Sequence, residues 1–373
     1  MQKTFQTQKH VCSALYHNSN GILNTPHNPR FGLLLNRVVL PYARQRKTSQ
    51  HEGLLRNQSS TSVHLLPMQQ VVRPMLAHSL KDEEINESLF SRGPLYVQPK
   101  YDGIRCQAVD GKLYSGRNGK ELPNMFCQGW ADANLRGLHL DGEMMVVDSQ
   151  RRYLSFSDKD GQPGIESCLM SRVTNCNFQY IVFDSPSHPG HYLDRLTYFG
   201  TELLRRDNSH CSAVTNQIAC TVKDIEFIVS HWYNFEGYIL RSPLAVYKNG
   251  RSTLRELGML KRKTFTDAEA YVIGFEERMH NHNEATLDIW GLTDRTSHSG
   301  NLTPAGDLGA FVVQSNDWPA PFKIGTGFTA AERVKFWNEQ TSLYGQCVTY
   351  KYQPHGSKDA PRSPVFLRLR NSD

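Results

Sequence analysis

The sequence predicts an α+β fold with antiparallel sheets, followed by a smaller and mostly β unit. Three observations carry this. Short segments that alternate polar and apolar residues recur from about Val72 onward. Helical pattern appears between them, but without the regular strand–helix alternation of a doubly wound sheet. After about Ala268 the chain turns strand-rich, with one helix candidate at "TAAERVKFWNEQ". That last stretch, roughly 100 residues of mostly β structure, fits a small barrel.

The first 65 residues stand apart. They carry eight cations and one anion, a net +7, so of the chain's formal +6 the remaining residues contribute −1. No Asp or Glu occurs from Met1 to His51. "RFGLLLNRVVLPYARQRK" could form one short basic amphipathic helix. An acid-poor segment with Arg and Ser has the composition of an organelle transit peptide, and equally that of a basic tail of another kind. We therefore set 1–65 aside as an extension, disordered or targeting. A transit peptide would place the protein in the mitochondrion or another organelle; otherwise it is nuclear, cytoplasmic or virus- or phage-encoded. The near-neutral body must draw any nucleic-acid affinity from local basic patches.

Two further exclusions follow from composition. No stretch approaches 18 uninterrupted apolar residues, so no membrane span is expected. The eight cysteines form no Cys-x-x-Cys pair, and a chain of 373 residues needs no disulfide staples. They read as reduced thiols of a cytosol-like compartment, with no ligand spacing for zinc. Of the fifteen histidines only "HNH", His280–His282, is a tight group, and it reads as a polar loop.

In order, "EEINESLF" predicts a short helix. "LYVQPKYDGIRCQAV" predicts a strand, and further strands are expected at "LHLDGEMMVVD", "FQYIVFD", "FEGYILRS", "AEAYVIGF", "GAFVVQS", "QCVTYKYQ" and "PVFLRLR". Helices are expected at "HYLDRLTYFGTELLRRD" and "TVKDIEFIVSHWYNF". In the final strand Arg368 and Arg370 are expected on one face, with Val365, Leu367 and Leu369 on the other.

Four clusters could carry chemistry. Lys100 is followed by Asp102, Gly103 and Arg105; a lysine becomes a nucleophile when desolvation or nearby cations favour its neutral form. Asp141 and Glu143, two apart on a strand, share a face and suit a hard cation such as Mg²⁺. Glu236 is the next acidic candidate for a metal. Lys261 and Lys263, again two apart, converge sensibly if a phosphate lies between them. Each cluster alone also fits the wet face of a half-buried sheet. Together, in this order, they make one site.

This ordered set resembles the ATP-dependent DNA ligases of the covalent nucleotidyltransferase superfamily, most nearly the small two-domain chlorovirus type. The motifs are "KYDGIR", "SGRNGK", "LDGE", "YIVFD", "EGYILR" and "LKRK". The resemblance runs on through "YKNGRSTLRE", "KTFTDAEA", "IGTGF" and "GSKDAPRSPVF", from about Val72 to Arg370. It implies an antiparallel-sheet adenylation (nucleotidyltransferase) domain over 66–267 and a β-barrel OB-fold domain over 268–373. It also implies an insertion around 278–306 that would act as a DNA-encircling latch. By the same resemblance Lys100 is the catalytic residue that takes AMP from ATP. Arg105 contacts the nick. Arg117 contacts the AMP ribose or the 5′-phosphate, and Glu143 the ribose or a metal. Phe183 stacks on adenine, although an aromatic in an apolar strand also fits a core position. Glu236 holds Mg²⁺, Arg251 contacts nucleotide or phosphate, and Lys261 and Lys263 bind the α-phosphate. Lys358, Arg362 and Arg368 are candidates for DNA or pyrophosphate. The implied substrates are ATP and nicked duplex DNA, with Mg²⁺ as cofactor and a monomer that encircles or clamps the DNA. Roles in replication, repair or recombination are all open.

Rival readings are weaker. Gly325, Gly327 and Ala330 outline a dinucleotide fingerprint, but no acid ends the following strand and too little chain remains for a doubly wound sheet. RNA ligases and mRNA-capping guanylyltransferases share the lysine motif, while "DAPRSPVF" favours DNA ligase. A non-catalytic DNA-binding scaffold would have lost Lys100, Glu236 or the Lys261/Lys263 pair, and all are present.

Overall fold

The computed structural model describes residues 70–156, 163–206, 209–233 and 235–370. All lie in one unit, Gln69–Asp373. The extension expected over 1–65, with its basic helix candidate, lies outside the described residues. The first strands are β1 (Met75–Leu76), β2 (His78–Ser79), β3 (Leu95–Lys100), β4 (Ile104–Val109), β5 (Lys112–Ser115), β6 (His139–Val146) and β7 (Phe178–Asp184). They are followed by β8 (Cys211–Ala213), β9 (Gln217–Ala219), β10 (Gly237–Arg241), β11 (Gly250–Arg251) and β12 (Leu260–Lys263). Helices α1 (Met125–Asn134), α2 (Ile165–Met170), α3 (Tyr192–Arg206) and α4 (Val222–Ser230) lie between them.

These strands build two five-stranded sheets. One has the order β2-β12-β10-β3-β9, the other β5-β4-β6-β7-β8. Pairing is antiparallel except at the edges, where β12–β2 and β7–β8 run parallel. Alternation explains the layers. In β3 Leu95 and Val97 are buried with Leu240, Leu260 and the α4 residues Ile225 and Ile228, while Tyr96, Gln98 and Lys100 take the other face. Each such fully buried aliphatic side chain contributes about 1.5–3 kcal/mol over leaving it in water. The second sheet buries Leu113, Leu140, Met144 and Tyr180 with Phe199 and Leu203 of α3. Helix α4 begins where Thr221 and Asp224 cap each other's backbone amides. It ends at Ser230, short of the expected "HWYNF".

The segment "LYVQPKYDGIRCQAV" is not one strand. Its halves, β3 and β4, belong to different sheets, and the chain crosses between them at Tyr101–Gly103. Gly103 permits the crossing, because a Cβ there would collide with the Met144 carbonyl oxygen and the Met145 sulfur. Likewise "EEINESLF" is two 3₁₀ turns, Asp82–Glu84 and Glu87–Phe90, not a helix. The Asn86 side chain accepts from the Ser88 amide and starts the second turn afresh.

A strap, Val72–Ser79, ties the two sheets together. Gln107 of β4 exchanges two hydrogen bonds with Val72. The Met75 amide donates to the Tyr247 hydroxyl, the Ala77 carbonyl accepts from Arg251, and Ser79 pairs with Lys261.

The C-terminal part is a third sheet of β13 (Thr266–Asn281), β16 (Leu302–Gln314), β17 (Phe322–Ile324), β18 (Cys347–Gln353) and β19 (Arg362–Leu369), in the order β17-β16-β13-β18-β19. Its edges meet at a Thr326–Val365 bridge, where the Phe366 amide donates to the Thr326 carbonyl. The sheet thus curls around Val272, Phe311, Val313, Tyr350 and Phe366. Helix α5 (Ala330–Asn338) packs on β16, followed by a short α6 (Gln340–Leu343). The would-be dinucleotide fingerprint is the turn from β17 into α5.

Two expectations change here. A bulge between Thr349/Arg368 and Tyr350/Phe366 resets the pleat of β19, so Phe366 and Leu369 both face the core and Leu367 is exposed. "HNH" is no loop: His280 and Asn281 end β13, opposite Thr303 and Leu302. The 278–306 insertion is itself a hairpin of β14 (Ala285–Leu287) and β15 (Thr293–Arg295). Buried Asn283 braces its base, donating to the Thr296 and His298 carbonyls and to Asn281 Oδ1. No described helix is long and apolar enough to cross a membrane.

Candidate active site

Register places the catalytic candidates in rows. Lys100, Gly237 and Lys263 stand opposite one another on β3, β10 and β12; Gln98, Ile239 and Lys261 form the next row. Paired residues point to the same side of a sheet, so all three lysines share the face turned from the Leu95 core. Glu236 sits at the mouth of β10, nearly fully buried, its amide bonded to the Lys100 carbonyl. One carboxylate oxygen pairs with Lys100 and the other with Lys263. Burial opposes the ionisation of Glu236, but the two ammonium groups outweigh it and hold the carboxyl below its ordinary range.

Lys261 completes the cluster. Burial, and then the charges of Lys263, Lys100 and Arg251, push its ammonium below the usual lysine value, with Glu236 opposing. Two cations thus pair with one carboxylate and two more stand beside them, an excess of positive charge suited to a phosphate.

The facing sheet supplies a different set. Arg105 of β4 grips Asp141 of β6 through two parallel bonds, Nε to Oδ1 at 2.9 Å and the guanidinium to Oδ2 at 2.6 Å. It also donates to the Met75 carbonyl at 2.8 Å, and its guanidinium lies 5.2 Å from the centre of the Phe183 ring. The Tyr247 hydroxyl donates to Asp141 at 3.0 Å. Glu143, opposite Arg105, accepts from the Gly103 amide at 3.2 Å. Burial pushes its carboxyl up to about 7, although Lys100 and Arg105 pull the other way.

The C-terminal sheet closes over this site. Arg362 forks onto Asp102 between the two strands of the lysine motif, with one N–H to Oδ1 at 3.0 Å. His355 lies 3.6 Å from Asp102, and Gln353 accepts from Lys263 at 3.5 Å. The hairpin tip docks elsewhere: Trp290 Nε1 donates to the Arg117 carbonyl at 3.4 Å, and Ile289 fills the space where Gly119 has no Cβ.

The expected residues are therefore gathered unevenly. Lys100, Glu236, Lys261, Lys263 and Arg251 surround one spot; Glu143, Arg105 and Phe183 face it from the other sheet. Arg117 stands on the turn after β5, beside Arg105 through the Gly116 amide. Lys358 is exposed in the β18–β19 loop. Arg368 is exposed opposite Thr349, roughly 20 Å along β19 from Arg362. Sequence reasoning assigned no role to Asp102, although it sits in the lysine motif, nor to Gln353, His355 or Tyr247, which carry no local signal. Among the described residues, no group of three or more His, Cys, Asp or Glu is placed to hold a metal.

A family model described as the ATP dependent DNA ligase domain matches residues 74–263, a little over half of the chain. One described as the DNA ligase OB-like domain matches 299–370. No curated protein matches. Among solved structures, a Lig E DNA ligase covers 80% of this chain and 100% of its own at 21% identity, with a TM-score of 0.55, which shows the fold. The Chlorella virus DNA ligase–adenylate covers 81% and 99% at 24% identity, with a TM-score of 0.41. Two facing sheets with a lysine cluster, an OB-like sheet closed over them and the two matching domains agree: the chain belongs to the ATP-dependent DNA ligases of the nucleotidyltransferase superfamily.

Proposed function

We propose that the protein seals 3′-OH/5′-phosphate nicks in duplex DNA through a lysyl-AMP on Lys100 and then a DNA-adenylate. The pairing of Lys100 and Lys263 with the single carboxylate of Glu236, with the charges of Lys261 and Arg251 beside them, carries this reading. Lys100 Nζ gives up one ammonium proton to solvent and attacks the α-phosphorus of ATP with the freed lone pair; an N–P bond forms, the bond to pyrophosphate breaks, and a second proton leaves the nitrogen for solvent or the departing pyrophosphate. The nick 5′-phosphate then attacks the same phosphorus and frees Lys100, leaving AMP joined through a pyrophosphate linkage. The 3′-hydroxyl attacks the 5′-phosphate, and AMP leaves as the strand closes. Each step transfers a phosphoryl-type group, so the protein's work is placement and charge neutralisation.

Lys261 and Lys263 hold the α-phosphate, and Arg251 the nucleotide. Phe183 stacks on adenine. Arg105, fixed by Asp141, and Arg117, on its turn, meet the nick, with Arg362, Lys358 and Arg368 on DNA or pyrophosphate. Glu236 and Glu143 both interact with Lys100, and one or two carboxylates beside a phosphate are the donor set Mg²⁺ takes, with water filling the rest. When bound there, Mg²⁺ would supply neutralisation of phosphate charge. The β14–β15 hairpin, docked at Arg117, closes a monomer around the duplex.

Incubation with ATP labelled in the α-phosphate tests the reading. Wild type gains covalent label and Lys100→Ala does not; label on Lys100→Ala, or none on wild type, overturns the mechanism. GTP in place of ATP should give no adduct, and nicked RNA in place of nicked DNA no sealing. A chain beginning near Leu66 should label itself as the full chain does.

A further inference from the structure

Behind the lysine cluster lies a buried ion triad that the chemistry above leaves unused. Asp184, at the end of β7, accepts from Arg195 of α3 at 2.6 Å and from Arg241, the last residue of β10. All three side chains are fully buried. Burial opposes the charge on Asp184, yet Arg241 and Arg195 hold its carboxyl below the ordinary range. One guanidinium would balance one carboxylate. A second leaves the triad with one more buried cation than carboxylate, offset in part by the charge of Asp141 on Arg241, and an excess buried cation ordinarily lowers stability.

The three donor groups of Arg241 explain why it is there. Nε donates to the Gly258 carbonyl at 2.9 Å, where the chain enters the strand of Lys261 and Lys263. One terminal nitrogen donates to the Phe183 carbonyl at 3.0 Å, and the other to Asp184. Its guanidinium also lies 3.9 Å from the centre of the Tyr192 ring, whose hydroxyl accepts from Gln98, two residues before Lys100, at 2.6 Å. Arg241 is itself four positions along β10 from Gly237, the residue opposite Lys100. That is about 13 Å from the reacting nitrogen, too far to touch substrate. It nonetheless joins both lysine-bearing strands of one sheet to the backbone of Phe183 on the other. Its bond to the Phe183 carbonyl crosses directly from one sheet to the other at the residue that carries the ring.

We propose that Arg241, oriented by Asp184, is a positioning residue for the adenine of ATP: it fixes the Phe183 ring across the cleft from Lys100. The inference rests on the reading of Phe183 as the adenine-stacking side chain. Arg241→Met removes the clamp while Asp184 keeps Arg195 as a balanced partner, so the variant should fold.

The test measures KM for ATP in self-labelling, with melting temperature, for wild type, Arg241→Met, Phe183→Ala and the double variant. Arg241→Met and Phe183→Ala should each raise KM about tenfold or more, and the double variant should be no worse than the larger single effect, since both act through one ring. If Phe183→Ala raises KM and Arg241→Met only lowers the melting temperature, Arg241 is structural and the inference falls. Independent effects that multiply in the double variant also overturn it. If Phe183→Ala leaves KM unchanged, the adenine reading of Phe183 fails, and a rise in Arg241→Met alone then refutes the route through this ring. Arg241→Lys, too short to reach three acceptors, should show the same KM rise in smaller measure and serves if the methionine variant is insoluble.

Discussion

The two facing sheets carry their charges in opposite ways. On the Lys100 sheet a single buried glutamate serves two ammonium groups, one per carboxylate oxygen, with Lys261 beside them. On the other sheet Arg105 and Asp141 are locked by two parallel bonds, a backbone carbonyl and the Tyr247 hydroxyl. Lysine is a compact charge on a flexible stem that can trade partners, whereas the planar guanidinium is fixed by its fork. The contrast shows which sheet is built to exchange a phosphate and which to hold still while that happens.

That contrast can be broken by mutation. The largest effect is expected on the exchanging side. Lys261→Met with Lys263→Met should lower the rate of self-labelling by about 10²–10³-fold, because the donors aimed at the phosphate are gone. Circular dichroism melts of the same variant should be unchanged or slightly improved; a collapsed fold would mean that these lysines are scaffold. On the fixed side Asp141→Ala should destabilise the protein by about 3–5 kcal/mol in urea titrations, since Arg105 stays buried without its carboxylate. An Asp141→Ala protein as stable as wild type would erase the distinction between the sheets.

Acidity sharpens the comparison. His139, on β6, bonds to Ser187 Oγ at 2.6 Å and to Gln107 at 3.1 Å. Burial pushes its pKa down to about 4, against an ordinary 6.5, although Asp141 pulls the other way. Between those values the unfolded chain binds a proton that the folded one refuses. Stability should therefore fall as pH drops from about 6.5 to about 4, by about 2–3 kcal/mol, and this slope should flatten in His139→Gln. Urea midpoints measured across that range read it directly. The smallest effect returns to the exchanging sheet. Lys261→Met alone relieves repulsion among the clustered cations and should raise the melting temperature by about 1–2 °C while slowing self-labelling.

Much of the site was legible because its residues obey local spacing. Lys261 and Lys263 share a face as any i, i+2 pair on a strand does, and the order of the acidic and basic clusters along the chain carried the family. Alternation also located most strands. It could not say that β3 and β4 belong to different sheets, because both halves of "LYVQPKYDGIRCQAV" alternate alike and the crossing needs only three residues. Nor could it find the bulge in β19, since counting a pleat assumes that none exists. The Arg362–Asp102 fork joins residues 260 positions apart and leaves no mark on either segment. The triad of Asp184, Arg195 and Arg241 was hidden for another reason: charged residues in apolar strands and an amphipathic helix are ordinarily assigned to solvent.

The strap at Val72–Ser79 sets the order in which the molecule can be completed. It is the first described segment to leave a ribosome, yet Met75 waits for Tyr247, 172 residues later, and Ala77 for Arg251, 174 residues later. At about 5–20 residues per second, roughly ten to thirty seconds of synthesis separate the strap from its partners. Loop closure of that length is slow and unrewarded until β11 and β12 arrive. The lysine site can therefore be finished only after about two-thirds of the chain has been made, and a chain that stops before β12 cannot present it.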